Sequence, residues 1–179
     1  MRKARTTAVL LALVLSLGPL LSACGNSDDE ATKNISDFLV KAQKSSDLVS
    51  RFFVVDRKEA DCIAKGLVEK IGTDQLQEYG LLDKNNEVKG SVTTLKMSEG
   101  DAKAATGVLF GCTDVVTMMK KATAASGMVP KSLKSCVDTV ITEDNLRALF
   151  THIFEGDQDA ARKDFVQPMT KCSLGSQGQ

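Results

Sequence analysis

The chain is predicted to be an all-α, disulfide-stapled helical bundle, and three observations carry that expectation. Apolar residues recur at three- and four-residue spacing, best in Ala60, Ile63, Ala64, Leu67, Val68 and Ile71, which places them on one helix face. Such stretches are bracketed by capping residues and glycines, while alternating strand patterns are nearly absent. Beyond the first sixty residues stand four cysteines, Cys62, Cys112, Cys136 and Cys172, spaced for neither a CxxC redox pair nor a zinc site.

The N-terminus has its own logic. Met1–Thr7 is basic through Arg2, Lys3 and Arg5, and Ala8–Leu21 is a fourteen-residue run broken only by Ser16, Gly18 and Pro19. As a helix that run reaches about 21 Å, short of a hydrocarbon core of about 30 Å. Residues 1–23 therefore read as a secretory signal peptide rather than a spanning helix. Leu21-Ser22-Ala23-Cys24 resembles the lipobox of bacterial lipoproteins. The resemblance implies cleavage after Ala23, acylation of Cys24, and a mature protein held on the outer face of the cell membrane by its lipid. Two or more acyl chains anchor stably where one does not. The polar, acidic stretch Gly25–Lys33 is expected to be a flexible tether of roughly 15–18 Å.

Residues 34–172 are expected to form a single helical domain, with 173–179 a disordered tail. Ile35, Phe38, Leu39 and Ala42 mark a first helix, and Arg51–Val55 is ambiguous. Asp56 to Glu59 has the form of a capping box opening a helix that Gly72 ends. Thr73 is expected to cap a short helix closed by Gly80. Leu81–Met97 reads as a loop. Ser98 caps a long helix to about Ala125, on which Cys112 faces the core; Gly107 and Gly111 would leave a smooth patch for a close neighbour. After Gly127, Pro130 suits the first turn of a helix running to Ile141. Thr142 caps Glu143–Glu155, Gly156 ends it, and Asp157 caps the last helix, with a kink at Pro168.

A weak internal repeat runs through these signals. Ile71–Leu76 parallels Ile141–Leu146, and Glu99-Gly-Asp101 parallels Glu155-Gly-Asp157. Coincidence among common capping residues is the competing explanation. Read as a duplicated two-cysteine hairpin, the pattern pairs Cys62 with Cys112 and Cys136 with Cys172, one of three possible connectivities, with free thiols the alternative to any pairing. Cys62 sits nearly opposite the apolar stripe of its own helix. Either that helix is covered on two sides or the stripe is misplaced.

Of 23 basic and 23 acidic residues, three basic ones fall in the signal segment, so the mature chain is net −3. A weakly acidic chain without basic blocks lacks the electrostatics for nucleic acid. His152, the one histidine, has no partner set for nucleophilic catalysis. Asp83, Asn85 and Glu87 have calcium-loop spacing, but Val88 and Thr94 stand where the loop needs glycine and glutamate, so the segment reads as a polar turn. Asp157 and Asp159 read as cap and first-turn acid rather than a carboxylate pair. No cofactor fingerprint or metal-ligand spacing is present. Met118, Met119, Met128 and Met169 read as core in preference to a ligand pocket, and Phe52–Val55 as a candidate partner patch.

Cys62-Ile-Ala-Lys-Gly-Leu-Val-Glu-Lys-Ile-Gly72 is similar to segments of small, functionally uncharacterised envelope lipoproteins of actinobacterial type. That resemblance implies no activity. The sequence thus predicts a non-enzymatic structural or protein-interaction module whose partners are the membrane and an envelope protein. The alternative is a carrier of a small apolar ligand held between helices.

Overall fold

The computed structural model describes residues 25–42, 55–89, 94–125 and 131–175. The signal segment, Cys24, Phe52–Val54, Gly127, Met128, Pro130 and residues 176–179 lie outside the described residues.

The first helix, α1 (Gly25–Ala42), corrects the expected tether. Residues 25–33 are helical and not a coil, and Ala31 is fully buried beside Ile35. Asp28, Asp29 and Glu30 lie in the opening turns, where acids offset the positive end of the helix dipole. Their charge is a helix-start signal, and Ala31, Ile35 and Leu39 continue the stripe at four-residue steps.

The second helix, α2 (Arg57–Ile71), opens with the expected capping box: Asp56 Oδ1 accepts from Glu59 N at 2.8 Å, and Glu59 Oε2 from Asp56 N at 2.9 Å. Its stripe buries Ala60, Ile63, Ala64 and Val68. Gly72 (φ +91°) separates it from α3 (Thr73–Glu78). Thr73 is not a side-chain cap. Its hydroxyl instead donates to Asp28 Oδ1 at 2.6 Å, tying α3 to α1.

Among the described residues, the segment after α3 holds no α-helix up to Met97, and Leu82 and Val88 form an antiparallel bridge. Leu81, Leu82, Leu95 and Met97 are buried beneath it. The expected long helix is two. Helix α4 (Glu99–Cys112) starts at the Ser98 cap and ends at extended Thr113, and α5 (Val115–Ala125) follows. Asp114 Oδ1 accepts from Thr117 N at 3.0 Å, so a residue read as helix interior is a new N-cap.

A 3₁₀ turn at Lys131–Leu133 precedes the short α6 (Lys134–Val140). Helix α7 (Glu143–Glu155) begins at the Thr142 cap and ends at Gly156 in the left-handed conformation. Asp157 caps α8 (Gln158–Ala161), accepting from Ala160 N at 2.9 Å. The kink expected at Pro168 is a π-helical turn, Arg162–Val166, just upstream. Gln167 N donates to Arg162 O, a five-residue step. The wider turn relieves the clash of a proline ring with the carbonyl four residues back. Helix α9 (Gln167–Gly175) then extends three residues into the expected disordered tail.

The architecture is the predicted disulfide-stapled helical bundle. The disulfides are Cys62–Cys112 and Cys136–Cys172, with Cα atoms 5.6 and 5.7 Å apart. Two buried clusters, one around Ile141, Leu146 and Phe150 and one around Ala31, Leu76 and Leu95, meet across Leu39, Leu67 and Phe154. Val55 belongs to the first cluster and is 2% exposed, which removes it from the expected surface patch. The parallel between repeat motifs holds in the disulfides but not in the turns. Glu99 and Gly100 are first-turn residues of α4, whereas Gly156 is a helix C-cap.

Cys62 and the stripe are reconciled because α2 is covered on two flanks. Helix α1 reaches it through Arg57 and Asp61, and α4 through Cys62 and Gly66. The close approach expected at Gly107 and Gly111 is made at Gly66, where an added Cβ would lie 2.6 Å from Val108 Cγ1. Gly107 and Gly111 face open space. Gly66→Ala is therefore expected to destabilise, because crowding the stiff Val108 costs about 1–3 kcal/mol against a helix-propensity gain of about 1 kcal/mol. Gly107→Ala should instead stabilise by up to about 1 kcal/mol. Urea denaturation of the two variants reads the opposite signs; the same sign for both would refute the packing.

Candidate functional site

Three regions bear on function: a polar seam between α1 and its neighbours, and two grooves. The first is a polar seam holding α1 down. Ser36, 2% exposed, donates to Asp61 and accepts from Arg57 Nη1 at 3.0 Å, and Arg57 also pairs with Asp37 at 2.8 Å. The Arg57 guanidinium, with Lys33 adding to it, holds the Asp37 carboxyl below its ordinary pKa. At the other end the hub is Asn86, buried and left-handed at φ +59°. Its carbonyl accepts from Asn34 at 3.0 Å, its Oδ1 from Gln77 at 2.8 Å, and its Nδ2 donates to Ser27 Oγ at 3.3 Å. Asp83 accepts from Asn85 N and Glu87 N and pairs with Lys89 at 2.8 Å. Lys89 and those amides lower its pKa to about 2. The Asp83–Glu87 segment is thus a polar turn, as expected, and its job is to shape the Asn86 hub.

The second region is an open groove of about 430 Å³ beside the Cys62–Cys112 bridge, lined by Glu59, Phe110, Thr113, Asp114, Val116 and Glu143 among others. Each of its acids is engaged. Glu59 spans the capping box and accepts from Thr113 Oγ1 at 3.0 Å, Asp114 caps α5, and Glu143 pairs with Arg147 at 2.8 Å. Backbone and hydroxyl bonds from Thr117 keep the Asp114 pKa low. Arg147 also lies over the Phe110 ring, 4.4 Å from its centroid. The groove presents a half-covered aromatic ring rimmed by carboxylates.

A smaller groove of about 370 Å³ runs along Leu149, Ile153, Ala161 and Val166, with Gln158 and Arg162 on its rim. It is apolar but open. Val166, at 48%, and Phe38, at 42%, are the exposed large hydrophobic residues among those described. Met119 and Met169 pack against the core rather than lining a pocket.

His152 stands in the last turn of α7, its Nδ1 3.3 Å from Glu155 and its Nε2 3.5 Å from Asp164. It bridges α7 to the π turn. All four cysteines of the domain are in disulfides, and Asp157 is a cap, as expected. The described residues contain no group of three or more His, Cys, Asp or Glu able to hold a metal. No described helix is long and apolar enough to cross a membrane. Cys24 lies outside the described residues, one position before α1.

Both the α1 seam and the Thr113–Asp114 break were missed in the sequence. Helix-start acids at 28–30 and the Asp114-to-Thr117 spacing carried the signals. The chain matches no protein-family model, no curated protein and no solved structure.

Proposed function

We propose that this protein is a lipid-anchored lipoprotein on the outer face of a bacterial cell membrane, acting as a non-enzymatic structural or protein-interaction module. The observation that carries this most is the pair of closed disulfides, since such bridges persist in oxidising, extracytoplasmic compartments. It joins the lipobox-like Leu21-Ser22-Ala23-Cys24, whose acylated cysteine would supply the anchor.

The open grooves favour an interaction module over a carrier. A carrier encloses most of its ligand's surface, whereas the apolar groove at Leu149 and Val166 is only partly enclosed. The groove acids support a non-catalytic reading because each serves as cap or ion-pair partner, while acid–base chemistry needs carboxylates pushed apart in pKa within a cleft.

Cys24→Ala is the direct test. The variant should leave the detergent-extracted membrane fraction or accumulate as unprocessed precursor. Wild-type processing and membrane retention would overturn the anchor.

A further inference from the structure

Resting on the lipoprotein reading, we infer that the domain is held directly on the bilayer, with its Ser27–Asn86 end turned to the headgroups and its Glu59–Thr113 groove turned away. The argument is one of chain length. Ser27 is already bound to Asn86, and Asp28 to Thr73. Only three peptide steps separate Ser27 from Cys24, so even a fully extended chain keeps them within about 11 Å. The contact end of the domain therefore cannot leave the acylated residue, and no coil intervenes that could let the bundle reorient.

The remaining geometry follows from α1 and α2 running antiparallel. Asp28 meets Thr73 at one end, and Ser36 meets Arg57 and Asp61 towards the other. Helix α2 has fifteen residues, about 22 Å of axis. Glu59 and Thr113, bonded to each other, stand at its far end together with the groove. Charge plays no part in holding the near end down. Asp28, Asp29, Asp74, Asp83 and Glu87 there outnumber exposed Lys70, Lys84 and Lys89, so the surface has no net attraction for anionic headgroups. The lipid and the docked helix impose the orientation. The occupant of the near end is the protein's own membrane, and the Phe110 groove lies at the end turned away from it.

The test uses the mature, acylated protein, isotopically labelled and reconstituted in bilayer discs carrying a gadolinium-chelating lipid headgroup. Amide signals of Asp74 and Asn85–Glu87 should be attenuated severalfold more than those of Lys58 and Asp114. A spacer of about twelve Gly/Ser residues inserted between Cys24 and Gly25, a coil of roughly 19 Å, should level that difference without altering chemical shifts in the core. Level attenuation in the acylated parent, or stronger attenuation at Asp114, would overturn the orientation alone. An intact mass lacking the acyl chains would overturn the anchor and the orientation together.

Discussion

Removing both disulfides should leave the protein largely unfolded at 37 °C. The bridges close loops with sequence separations of 50 and 36 residues. On the chain-entropy account, each restricts the unfolded ensemble by about 4 kcal/mol. Together that approaches the whole stability of an ordinary domain, about 5–15 kcal/mol. The paired substitutions Cys62→Ala with Cys112→Ala, and Cys136→Ala with Cys172→Ala, should each lower the urea-derived stability by about 2–4 kcal/mol, the measured range for such bridges. The two should also differ in reducibility. Each bridge has one exposed cysteine, Cys62 and Cys136, but their partners differ: Cys112 is partly exposed, whereas Cys172 is 5% exposed in the core cluster. Graded reduction should open Cys62–Cys112 first. A loss under about 1 kcal/mol for either pair would mean that packing alone holds those helices.

Gly156→Ala should cost about 2–4 kcal/mol, from two separable sources. Gly156 has φ +76°, where a side chain meets its own backbone at a cost of about 1–2 kcal/mol. Its added Cβ would also lie 2.8 Å from the Leu95 carbonyl and 3.0 Å from Lys96 Cγ. Leu95 cannot simply retreat. It is 2% exposed, and two residues on, Met97 N donates to Phe154 O at 2.8 Å. That bond is the strap joining the 81–97 loop to the end of α7. Gly80 is the control, since at φ +75° it faces open space. Gly80→Ala should show the backbone strain alone, about 1–2 kcal/mol. Equal losses at both positions would show that the Leu95 contact carries nothing.

The glycines illustrate how far a one-dimensional reading reaches. Gly72, Gly80 and Gly156 were legible as helix ends, because ending a helix in the left-handed region is a local steric matter. Gly66 was not, because its reason is Val108, forty-two positions away in sequence and on another helix. Gly107 and Gly111 suggested a close approach by spacing alone and face open space instead. The candidate site divides in the same way. The Asp56–Glu59 box and the Asp83 turn could be read from their own residues, while the Glu59–Thr113 bond and the Asn86 hub needed the partners folded against them.

What the sequence by itself determined is whatever local chemistry dictates: the helical period of α2, the caps at Asp56, Ser98, Thr142 and Asp157, and the predominance of helix. The cysteine pairing was also within reach, since a two-helix hairpin fixes which ends are neighbours. Only the tertiary structure decided the fate of residues 25–33 and of Thr113. An acidic, polar stretch is a coil when alone, because a lone helix start has too little to bury against its nucleation cost. With Ala31 and Ile35 against α2, and Ser27 and Asp28 bonded to Asn86 and Thr73, the same residues form a helix. Thr113 ends α4 in an extended conformation, buried and bonded to Glu59. Both outcomes depend on long-range contacts, and no local propensity encodes a contact whose partner lies dozens of residues away.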